Sequence, residues 1–71
     1  MNTPISVFCE KRMMNKKIEE AFAMYCKASF ADSYNVKEDG DTINSLILRM
    51  TEQDVENMWN GFVLDFRDAL I

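Results

Sequence analysis

The sequence predicts a small two-layer α+β domain in the order β-α-β-β-α, with an antiparallel hairpin and two helices on one sheet face. Three observations predict it. An apolar stripe at helical spacing fills the last third of the chain. Asp39-Gly40 stands between two runs that alternate in polarity, and residues 5–9 are rich in β-branched and aromatic side chains. Seventy-one residues make one domain.

Ile5-Ser6-Val7-Phe8-Cys9 places Ile5, Val7 and Cys9 against Ser6, Phe8 and Glu10, the alternation of a short strand. Thr3-Pro4 supports a competing reading, because Thr as N-cap with Pro at the first position also starts helices. On that alternative the N-terminal segment is helical, Ile5, Phe8 and Cys9 share a face, and the fold is mostly α. Residues 15–31 form the first clear helix, with Asn15 as cap and Ile18, Ala21, Phe22, Tyr25, Cys26 and Ala28 on one stripe. Met24 and Phe30 fall at the margins of that stripe, as core-edge packing. Tyr34 and Val36 alternate before the acidic turn Glu38-Asp39-Gly40-Asp41, and Leu46, Leu48 and Met50 share one face after it. The two runs read as an antiparallel pair. Thr51 to Ile71 then forms the last helix, with a hydroxyl cap and acids in its first turn. Its stripe is Val55, Met58, Trp59, Phe62, Phe66, Ala69 and Leu70, with Trp59 and Phe62 expected at the centre of the core.

Charge is unevenly placed. Residues 1–31 carry five basic groups against three acids, a net of +2, and residues 32–71 carry nine acids against three basic groups, a net of −6. The overall −4 disfavours direct nucleic-acid and membrane binding and favours a partner with a basic surface. The short apolar run Ile5–Cys9 fits neither a signal peptide nor a membrane span, so a cytoplasmic protein with reduced thiols is expected.

Chemistry finds little support. With no His there is no ordinary Ser-His or Cys-His couple. An EF-hand loop with Gly40 sixth would put Lys37 at its third ligand position and Leu46 where a bidentate Glu belongs, which argues against calcium. Cys9, with Lys11 and Arg12 nearby, is the one thiol whose surroundings suit activation; a small buried hydrophobe is its ordinary role. No enzyme, metal or cofactor is expected.

The strand-helix-strand-strand-helix order with an acidic last helix resembles the layout of the DNA-damage-inducible protein I family. The likeness lies in element order across most of the chain, without a shared motif, and implies a modulator of a recombinase filament. Read from the residues, the chain is an acidic protein-binding module, an inhibitor or modulator that occupies a basic nucleic-acid-binding site on a larger protein, of the kind phages and mobile elements encode. Its alternative is a self-associating structural domain, a homodimer. The candidate contact residues are Glu38, Asp39 and Asp41 on the turn, Glu52, Asp54 and Glu56 at the last helix start, and Leu64 with Arg67 and Asp68 on that helix's outer face.

Overall fold

The computed structural model describes residues 3–70, with side chains as far as Arg67. Four helices joined by short turns make up the described residues: α1 Pro4–Lys11, α2 Lys16–Tyr34, α3 Asp41–Leu48 and α4 Glu52–Leu70. There is no strand among the described residues. The fold is all-α, which overturns the α+β expectation and with it the family layout drawn from strand order.

Two of the three predicted strands are displaced by local helix signals, and the third, around Tyr34 and Val36, is the end of α2, its left-handed cap Asn35 and the turn that follows. At α1 the Thr3 hydroxyl accepts a bond from the Ser6 backbone N–H at 3.0 Å, and Pro4 supplies the preset φ of a first helical position. Ile5, Phe8 and Cys9 are buried at i, i+3 and i+4, whereas Val7, which a strand would place beside Ile5 and Cys9, is exposed. The helix closes through Met13 in the left-handed region at φ 53°, with the Met14 N–H bonded to the Cys9 carbonyl at 3.1 Å. That bend separates α1 from α2, whose apolar stripe is out of phase with it.

The predicted hairpin turn is a helix start. Gly40 takes φ −78° and ψ 160°, an extended N-cap conformation, so it does not supply the positive φ of a type I′ turn. Asp41 follows in the first turn of α3, where the helix dipole favours an anion. Ile43, Ile47 and Met50 are buried at helical spacing, while Leu48, on the predicted strand face, is about half exposed. At α4, Thr51 and Asp54 cap reciprocally: the Thr51 N–H donates to Asp54 Oδ2 at 3.0 Å, and the Asp54 N–H donates to Thr51 Oγ1 at 3.1 Å.

Three of the helices, α1, α2 and α4, meet on one aromatic cluster. Phe22 of α2 is fully buried, with ring centroids of Phe8, Phe62 and Trp59 at 5.9, 5.5 and 5.2 Å. Phe62 sits at the centre as expected. Trp59 is half-buried and edge-on to Phe22 at 80°, so it closes the cluster from the side. Gly61 leaves room for the Tyr25 phenol against α4, since a Cβ there would stand 2.9 Å from its hydroxyl oxygen. Helical geometry is interrupted at Phe66, at φ −122° and ψ 17°, and that side chain is partly exposed against Phe62 and Tyr25.

Phe22→Ala should remove about 3–5 kcal/mol of stability, most of what a domain of this size holds. Urea unfolding followed by circular dichroism measures it, and a transition overlapping that of the parent would contradict the central position of Phe22.

Candidate interaction surfaces

The groups best able to do chemistry lie inside the fold. Cys9 and Cys26 are unpaired and buried. Burial pushes the Cys9 thiol up to about 11, helped by Glu19 and only partly opposed by Arg12. Burial and then the neighbouring Cys9 push Cys26 up to about 12. Neither supplies an appreciable thiolate at neutral pH. Arg12 lies over the Phe8 ring with its guanidinium 3.6 Å from the centroid. Among the described residues no three Cys, Asp or Glu side chains are grouped to hold a metal. None of the helices there is long and apolar enough to cross a membrane.

Two surface grooves lie between helices. The smaller, about 350 Å³, is bounded by α1, α3 and α4: Pro4, Val7 and Leu48 form its apolar walls, and Lys11 and Glu52 stand at its edge, 3.8 Å apart. The larger, about 610 Å³, runs between α2, α3 and α4. Phe30, Leu46, Met50 and Met58 give it an apolar lining, Tyr34 forms a wall, and Arg49, Asp54 and Asn57 supply its polar groups.

The predicted contact residues do not converge on one patch. Glu38, Asp39 and Asp41 are exposed on the turn between α2 and α3. Glu52 and Asp54 share the first turn of α4 yet line different grooves, and Glu56 is exposed beyond them. Asp54 has a structural task as a cap. Leu64 is 71% exposed and Arg67 is exposed beside it in sequence, whereas the Asp68 side chain lies outside the described residues. Asp65, whose place near a helix C-terminus opposes the dipole, acts on Tyr25. The Tyr25 phenol is raised above its ordinary range, first by desolvation and then by the charge of the nearby Asp65 carboxylate.

Sequence reasoning missed the outward side of α2. Met24, expected at the core edge, is 69% exposed at the middle of the helix. The signal was present in the phase of Phe22 and Cys26, which puts Met24 opposite them at about 100° per residue. The helix also separates charge. Lys11 ends α1, Arg12 lies in the turn before α2, and Lys16 and Lys17 are its first residues, followed by Glu19 and Glu20, whereas Asp32, Glu38, Asp39 and Asp41 lie in and after its last turn with Lys37 among them.

These features define an all-α domain with four helices among the described residues. Comparison with protein-family models, curated proteins and solved structures finds no match to this chain.

Removing the Asp54 cap by Asp54→Ala should lower stability by about 1 kcal/mol, while Glu38→Gln, Asp39→Asn and Asp41→Asn together should change it less. Thermal melting of both variants checks the distinction. Equal losses would mean that Asp54 is no more structural than the turn acids.

Proposed function

We propose that this chain is an interaction domain that pairs with a second copy of itself. The observation that carries the reading is the opposite charge at the two ends of α2. By about 1.5 Å per residue, this rigid helix holds the basic turn roughly 27 Å from the acidic one. A reversed copy is the complement of such an arrangement, and complementary charge favours association and fixes its orientation. The buried thiols support a role in contact, as do the outward apolar side chains of Met24 and Leu64.

A second reading is favoured by the larger groove. Its Met- and Phe-lined wall suits an adaptable contact with an apolar side chain. Together with the net −6 of residues 32–71, it supports binding of a basic segment from a larger protein.

Sedimentation equilibrium at rising protein concentration, in low and high salt, separates the readings. Self-association predicts a mass that climbs from monomer to dimer, with the transition moved to higher concentration by salt. A monomer throughout would contradict it and leave the groove as the functional surface.

A further inference from the structure

The core side of α2 is set by Phe22 and Cys26, both fully buried. At about 100° per residue, Met24 points about 180° away from their mean direction. Around it, Lys17, Glu20, Ala21, Ala28 and Asp32 are exposed, and Lys27 and Ala31 are half-buried. Their order is self-complementary about Met24. Glu20 lies four residues before it and Lys27 three after; Ala21 lies three before and Ala28 four after; Lys17 lies seven before and Asp32 eight after. By the same helical angle Glu20 and Lys27 occupy one flank of this face. Lys17, Ala21, Ala28 and Asp32 occupy the other.

We propose that α2 packs antiparallel against α2 of a second copy, about a two-fold axis that passes at Met24. The assignment rests on the self-association reading and names its surface. A two-fold axis normal to the plane of two antiparallel helices sets each flank against the same flank of the second copy. Glu20 then faces Lys27 of the second copy, Lys17 faces its Asp32, Ala21 faces its Ala28, and the two Met24 side chains meet on the axis. Opposite charges meet at both pairs of ionic positions, which lowers the energy of this orientation. The two alanines leave room for the backbones to approach, since interaxial distance follows the side chains at the contact. One helix pair covers less than the roughly 1,600 Å² of a standard interface, so the dimer is weak, and its exposed ion pairs make it salt-sensitive.

A charge-swap series on the full chain tests this, read by sedimentation up to about 1 mM protein at low salt. Glu20→Lys sets two cations together at each flank pair, and Lys27→Glu sets two anions together. Each single variant should self-associate at least about tenfold more weakly than the parent. The double variant Glu20→Lys/Lys27→Glu restores opposite charges and should dimerise within about twofold of the parent. An equimolar mixture of the two single variants should form a mixed dimer that neither forms alone, which also shows that both are folded. Single variants that dimerise like the parent, or a double variant and mixture without rescue, would overturn the α2 assignment and leave self-association standing. A parent that stays monomeric would overturn both.

Discussion

The fold depends on the burial of Phe22 among the rings of Phe8, Trp59 and Phe62. These four side chains come from three helices and form one tilted, edge-on cluster. Such pairs add about 0.5–1.5 kcal/mol each to the effect of burial alone. α1 and α3 have only eight residues each and would be marginal helices in isolation. They persist because Ile5, Phe8 and Cys9 from one, and Ile43 and Ile47 from the other, complete the same core as Phe22. No buried side-chain nitrogen or oxygen among the described residues lacks a partner, so the interior is apolar and carries no stored polar cost.

The core takes up the chain's two thiols, Cys9 and Cys26, as small hydrophobes. α2 carries the second of them. Phe22 and Cys26 fix its phase against the core, and that phase decides which residues face away. The self-complementary order around Met24 therefore follows from the packing of Phe22.

The helices read from long periodic stripes were legible, and the short elements were not. α2 and α4 carry enough turns for the 3.6-residue period to show, and their caps at Asn15 and Thr51 were visible in the chain. α2 runs three residues past its expected end, to Tyr34, and stops at Asn35, whose φ of 53° closes it. Over eight residues, however, β-branched content and helical spacing compete on nearly equal terms. At residues 5–9 the capping signal of Thr3-Pro4 outweighed strand alternation. At residues 43–50 the alternation of Leu46, Leu48 and Met50 gave way to the i, i+4, i+7 set of Ile43, Ile47 and Met50. Asp39-Gly40 marked a chain reversal correctly in position, but Gly40 serves the helix that follows. The acids were legible as a group without being legible as a site. Asp54 caps, Glu52 pairs with Lys11, Asp65 lies near Tyr25, and Glu56 is among the acids that, like those of the turn, have no partner in the side-chain hydrogen bonds and ion pairs of the described residues.

The two-fold axis at Met24 is tested most directly by a thiol placed upon it. Antiparallel helices about 8–10 Å apart bring facing Cα atoms on the axis within the ~7 Å reach of a disulfide. The native Cys9 and Cys26 are buried and do not compete. Mild oxidation of a Met24→Cys variant should give a disulfide-linked dimer on non-reducing electrophoresis, while Leu64→Cys, on the outward side of α4, should remain monomeric under the same conditions. Met24→Cys that stays monomeric, or that cross-links no faster than Leu64→Cys, would contradict the account.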